Sequence, residues 1–417
     1  MPGRRLDQVD ATRPVKQAGV ISTHVLLFFA PTGAAFTAGF ALTLLHVSRD
    51  AFFFISACML AYAYADLNRA GLRRFYWRRF VAVGIPYLCW TAIYYVDTYR
   101  EARYHSTGAA LIAIPHMLYT GYYHLYFLLV IMQFYLVFPL VLMLLRRTKG
   151  HHGLVAAITL IAQAVYLGFM HWNMLPPWLS GVWAQRLLPT YLIYLVGGAI
   201  IAFHLTQAHD WVCRNAWLVI TFTAFAALGA ELIYYLSAKG VISVLGSGTD
   251  PFQPDILPFN IGAVACLYLI GVSLVRPGRS RRERALVRAG SDNSYGVYLA
   301  QMLFINALVQ FGWKNLDHTV PWPLLCAVTV VIVYLSGFIL TSLLARTALS
   351  VPLTGRKRVP WRSPRTQRTD NDSDTRVDRA ERRPAGRSEL PRGRHRRRDG
   401  DLREPAPVSV GVGVASD

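Results

Sequence analysis

Asp10, Arg13, Gln17 and His24 are polar or ionisable residues in or beside a stretch that is otherwise apolar, and their spacing is helical. At 100° per residue, eleven steps from Arg13 bring His24 to within about 20° of it, with Gln17 about 40° and Asp10 about 60° round. The four form one polar stripe. Eleven residues rise about 16 Å, roughly half the hydrocarbon thickness of a bilayer, so with Arg13 at one interface His24 lies near mid-membrane. A neutral imidazole held away from water keeps a ring nitrogen available as a base. Periodicity alone leaves the role open, because a histidine satisfied structurally by a neighbouring helix has the same spacing.

Other candidates sit in or at the ends of later apolar stretches. Arg49 and Ser56 are seven apart in SRDAFFFISACML and share a face, though Arg49 at an outer interface equally serves as an anchor. His124 and Tyr135 are eleven apart in YHLYFLLVIMQFY and also share a face, with His124 near the outer end, where a solvated histidine is ordinary. Arg78 and Arg79 open YWRRFVAVGIPYLCW. Two guanidinium forks beside a cavity would bind phosphate, while the same pair at an inner helix end sets topology. Glu231 is a lone acid within an apolar stretch and is expected to face protein. No Walker-type loop, GxSxG elbow or HExxH helix occurs.

The elements that must position these residues are membrane spans. The chain is 54% hydrophobic and only 16% charged, and the apolar residues come in helix-length blocks rather than mixed with charge. Such blocks predict spans over 14–32, 48–66, 78–98, 123–145, 153–171, 186–204, 215–237, 258–275, 292–312 and 322–346. Residues 33–47 either extend a neighbouring span or lie at the interface. The fold class expected is an all-α polytopic bundle of about ten transmembrane helices over 1–346, with a disordered basic cytoplasmic tail over 347–417.

The net charge of +20 raises the possibility of a nucleic-acid partner, which the distribution of the charge argues against. Seventeen of the 43 Lys and Arg lie after Ser350. With both termini inside, nineteen more fall in the inner segments and only six in the outer ones, as the positive-inside rule requires. The basic N-terminus precedes an apolar stretch without a small-residue cleavage pattern, so it is expected to be a retained first helix. Outer loops 99–122 and 238–257, rich in Gly, Pro, Tyr and His, are suited to a polar entrance. The five cysteines are scattered and predict neither disulfides nor a metal site.

Several of these segments together resemble the acyltransferase type 3 family, bacterial membrane proteins of about ten spans. Asp10-Ala-Thr-Arg13 followed by His24 matches its opening Asp-x-x-Arg and histidine spacing. FFFISACML, YWRRFVAVGIPYLCW, YHLYFLLVIMQFY and SYGVYLAQ are similar to four further elements of the family in the same order. The resemblance covers about residues 6–346 and is nearest to the exopolysaccharide O-acyltransferase branch. The chain departs from the pattern at Ala57, Ala82, Ile131, Met132 and Gln301, which stand for a Gly, an Arg, an acidic pair and a His.

The resemblance implies a membrane O-acyltransferase of the bacterial plasma membrane, multi-pass with both termini cytoplasmic. Its co-substrate would be acetyl-CoA or another acyl-CoA, with no bound cofactor or metal, and its acceptor a hydroxyl of an envelope glycan or glycolipid. Catalytic roles would fall to His24, Arg13 and Asp10, and substrate-binding roles to Arg78, Arg79, Ser56, Arg49, His124 and Tyr135. An exporter or flippase for a polysaccharide or lipid-linked sugar is the alternative expectation, although no internal repeat of the kind such proteins show is visible.

Overall fold

A computed structural model describes residues 6–100, 107–242 and 252–360. In chain order its helices are α1 (Asp7–Asp10), α2 (Thr12–Phe29), α3 (Ala35–Leu45), α4 (Val47–Ala63), α5 (Leu72–Arg100), α6 (Thr107–Thr120), α7 (Tyr126–Arg147) and α8 (His152–His171). There follow α9 (Val182–Gln185), α10 (Leu192–Phe203), α11 (Leu205–Arg214), α12 (Ala216–Ala238), α13 (Leu257–Leu274), α14 (Arg281–Gln310), α15 (Trp322–Leu344) and α16 (Ser350–Thr354). Among the described residues there are no strands. Helices satisfy every interior backbone group within one segment, which a bilayer demands of anything that crosses it.

Each of the ten predicted stretches falls on a helix. By length and apolarity seven helices among the described residues qualify as spans, or eight if the bent pair Leu188–Phe203 and Leu205–Arg214, turned by 99°, counts as one. The remaining two, α2 and α14, are 18 and 30 residues long but are too polar on average to qualify on composition. For α2 the reason is its surroundings. It packs against α3, α4, α13, α14 and α15, so its polar stripe meets protein instead of lipid, and Lys16 and Gln17 are buried.

Residues 33–47 take one of the two expected courses: they form α3, which continues into α4 as a helical run over Thr32–Ala63. Two features depart from the expected layout. The segment 99–122, expected as an outer loop, contains helix α6. The expected tail contributes α16, and residues as far as 360 pack back on the bundle: Trp90 donates to the Leu353 carbonyl at 3.0 Å and Arg356 pairs with Asp292 at 3.4 Å. The rest of the expected tail, from 361 on, lies outside the described residues, as do 101–106 and 243–251 of the two expected outer loops.

The most extensive helix pair is α4 with α10. It closes at Gly198, where an added Cβ would come within 2.3 Å of the Phe54 carbonyl oxygen and 3.2 Å of the Ala57 Cβ. Ala57, standing where the family resemblance expects glycine, is tolerated because the glycine is on the opposite helix. This contact fixes α4, and with it Arg49.

Candidate functional site

A cavity of about 250 Å³ opens between α2, α4, α7 and α14, lined among others by His24, Arg49, Tyr123, His124, Arg186 and Tyr298. His24 projects from the last third of α2. Its Nδ1 is enclosed without a hydrogen-bond partner, and its ring lies 5.2 Å from Tyr123 and 6.1 Å from His124, centroid to centroid. His124 is only 3% exposed. It is therefore buried in the cavity wall, not solvated at a helix end as its sequence position suggested. Both its ring nitrogens lack partners among the described residues, and Tyr94 and Tyr298 pack against it at 5.5 and 5.1 Å.

A strained turn sets the position of His124. Gly121 has φ +76° and Tyr123 φ +35°, and a Cβ on Gly121 would fall 2.5 Å from the backbone of Tyr126. Only glycine fits. The turn is tied down on its far side by Tyr298, whose hydroxyl donates to the His124 carbonyl. An imidazole from α2 and one from the turn before α7 thus face one cavity.

Arg49 is held by its neighbour. Its Nε donates to Asp50 Oδ1 at 2.9 Å and its guanidinium lies over the Phe252 ring at 4.5 Å. Asp50, 1% exposed, also accepts from Asn260 Nδ2 at 2.8 Å, and that amide in turn contacts the Tyr194 hydroxyl at 3.2 Å. Three helices, α4, α10 and α13, therefore fix one guanidinium at the cavity. Arg186 is fixed by hydrogen bonding to the Thr120 carbonyl, while its own carbonyl accepts from Gln133 at 2.9 Å. Two cations beside a buried histidine can stabilise an anion or a developing oxyanion.

The remaining expected residues are elsewhere. Asp10 and Arg13 form an ion pair of 3.0 Å at the opposite end of α2, about 16 Å of helix rise from His24 when measured from Arg13. Between them, Gln17 donates to Gln301 at 3.3 Å, so the residue standing where a histidine is frequent meets the polar stripe directly. Arg78 is exposed. Arg79 lies over the Tyr64 ring at 4.8 Å near the start of α5, away from the cavity. Tyr135 lies on α7 itself, whereas His124 belongs to the turn before it, so the two do not share a helix face and Tyr135 does not line the cavity. Ser56 is half-buried on α4 and does not line the cavity. Glu231 has both carboxylate oxygens enclosed without a partner among the described residues, on the peripheral helix α12.

A model of the acyltransferase domain matches residues 10–341 of the chain. The chain belongs to the acyltransferase type 3 family. No curated protein and no solved structure matches it. The match begins at Asp10 and ends within α15, so all the cavity residues of this membrane acyltransferase, including the pair His24 and His124, lie inside it.

Sequence reasoning missed Asp50, Asn260, Tyr123 and Arg186. Asp50 stood next to a residue already singled out, and Asn260 is a lone amide in LPFNIGAV. Both carried the signal of a polar group inside an apolar stretch. Tyr123 and Arg186 lie in connections, where no periodicity points to a partner.

Proposed function

We propose that the protein is an O-acyltransferase that moves an acyl group, with acetyl the simplest case, from a cytoplasmic acyl-CoA to a hydroxyl of an envelope glycan or glycolipid. His24 is the general base. The observation that carries this reading is the unpartnered His24 nitrogen at a cavity walled by His124 and two arginines.

The residues support a balanced step. His24 takes the proton of the acceptor hydroxyl as its oxygen attacks the thioester carbonyl. The carbonyl oxygen becomes an oxyanion facing Arg49 and Arg186. The carbon–sulfur bond then breaks, CoA leaves as thiolate, and the proton on His24 passes to it. Asp10 orients Arg13 at the inner end of α2, where the donor enters. The plasma membrane, with both termini cytoplasmic, is the setting in which a cytoplasmic donor and an outer acceptor reach opposite ends of α2.

The test supplies radiolabelled acetyl-CoA to membranes that contain the protein and separates their glycolipids and polysaccharides. Label entering one of these fractions, and only when the protein is present, is the expected result. Absence of label together with failure of a glycan to reach the outer face in cells lacking the protein would replace this reading with the exporter.

A further inference from the structure

The end of α2 remote from the cavity borders a second opening, a groove of about 760 Å³ lined by α1, the end of α13 and the start of α14. Arg281, Arg284 and Arg288 line it. Steps of three and seven residues place the three guanidinium-bearing side chains within about 60° of one another on the helix surface. Arg282, 100° away, is outside the groove, and Arg279 is turned to Glu283 at 3.3 Å. Like charges at i, i+3 and i+4 disfavour the helix that carries them, and none of the three has an ion-pair partner among the described residues.

Three acids also line the groove, yet two are engaged by cations that lie outside it. Asp10 is paired with Arg13 at 3.0 Å and Asp292 with Arg356 at 3.4 Å. Asp7 is the third. The groove therefore carries an excess of positive charge, presented as guanidinium forks. It is not the helix N-terminus that supplies it, since the first-turn amide of Glu283 is taken by the Ser280 hydroxyl at 3.2 Å.

We propose that this groove is a binding site for phosphate groups, and that its ligand is the phosphorylated nucleotide end of the acyl-CoA donor. The second statement rests on the function proposed above; the first does not. Guanidinium groups spaced along one helix face suit several phosphates on one molecule better than a single anion. Beside the groove α14 closes on α2 at Gly290, whose added Cβ would lie 2.9 Å from Pro14. From Asp10 at its rim to His24 is fourteen residues, about 21 Å of helix rise, a span that an extended pantetheine chain covers. Anionic lipid headgroups share the phosphate chemistry and are the other source of it.

The experiment uses the whole protein in phosphatidylcholine nanodiscs at fixed ionic strength, with labelled CoA as the probe. Arg281→Ala/Arg284→Ala/Arg288→Ala is compared with Arg282→Ala, which removes a charge from the same helix outside the groove. Phosphatidylglycerol retention is counted in parallel by native mass spectrometry. A tenfold or greater loss of CoA affinity in the triple variant, against about twofold or less for Arg282→Ala, is expected for lost charge-assisted hydrogen bonds. Arg284→Ala alone, at an exposed position, gives an intermediate loss with no cost to folding.

If the wild type binds no CoA but the triple variant alone loses phosphatidylglycerol, the phosphate site stands with lipid as its ligand, and the donor reading fails. If the wild type binds CoA and the triple variant binds it equally well, the donor reading survives and the groove is not the site. Equal behaviour of the triple variant and Arg282→Ala towards both probes would likewise refute it.

Discussion

At the scale of single residues, the polar stripe of α2 was legible because a helix fixes the angle between its own side chains. Asp10, Arg13, Gln17 and His24 could be placed relative to each other from spacing alone. What spacing could not supply was the other wall. His124 reaches His24 through a turn that depends on Gly121, and Arg49 is directed by Asp50 and Asn260 on two helices 210 residues apart in sequence. Asp50 makes the sharpest test of this arrangement. Asp50→Asn leaves a mostly buried guanidinium without its countercharge, which costs about 2 kcal/mol or more. Thermal unfolding in detergent should fall accordingly, and acyl transfer should fall further than stability does. A variant with unchanged stability and activity would mean that Asp50 does not hold Arg49 in place.

At the scale of elements, apolar runs located the helices but not their ends. The span expected over 292–312 is the second part of α14, which starts at Arg281 because Ser280 and Glu283 form a reciprocal cap. Ser280 donates its backbone N–H to Glu283 at 2.8 Å, and this bond, with the Ser280 hydroxyl and the nearby Arg279, holds the Glu283 carboxyl below its ordinary value. The sign follows from linkage. A carboxyl depressed in the folded state contributes stability above its unfolded pKa, and that contribution is lost as pH falls through the folded pKa. The first turn of α14 should therefore keep its amide protection from pH 7 down to about 5, near and above the ordinary glutamate value, and lose it at more acid pH. Hydrogen exchange corrected for intrinsic rates reads this directly. Glu283→Gln should remove the pH dependence, and a wild-type profile that is flat into the acid range would show that the cap does not hold the turn. Helix α6 was not anticipated because a short apolar run containing Pro115 and bounded by turn residues has the composition of a loop.

At the scale of the whole molecule, composition identified a membrane bundle, and charge distribution suggested its orientation. Apolarity undercounts helices such as α2 and α14, which are surrounded by protein or project beyond the apolar layer. The bundle has openings at the two ends of α2: the cavity beside His24 and the groove beside Asp10. An enzyme joining a cytoplasmic donor to an outer acceptor needs this polarity. Lys149→Cys and Lys314→Cys, each in a cysteine-free background, test the orientation, since both positions are exposed. An impermeant thiol reagent applied to intact cells should label the second and spare the first until the membrane is opened. The reverse pattern would place the groove outside and remove the route for a cytoplasmic donor.

The central claim is that His24 performs the chemistry at this cavity. It is tested most directly by transfer of label from radiolabelled acetyl-CoA in membranes carrying wild type or His24→Ala at equal expression and equal thermal stability. Transfer into a glycan or glycolipid fraction is expected with wild type, and a loss of at least about a hundredfold with His24→Ala, the scale of a missing general base. Transfer by His24→Ala at the wild-type rate would contradict it.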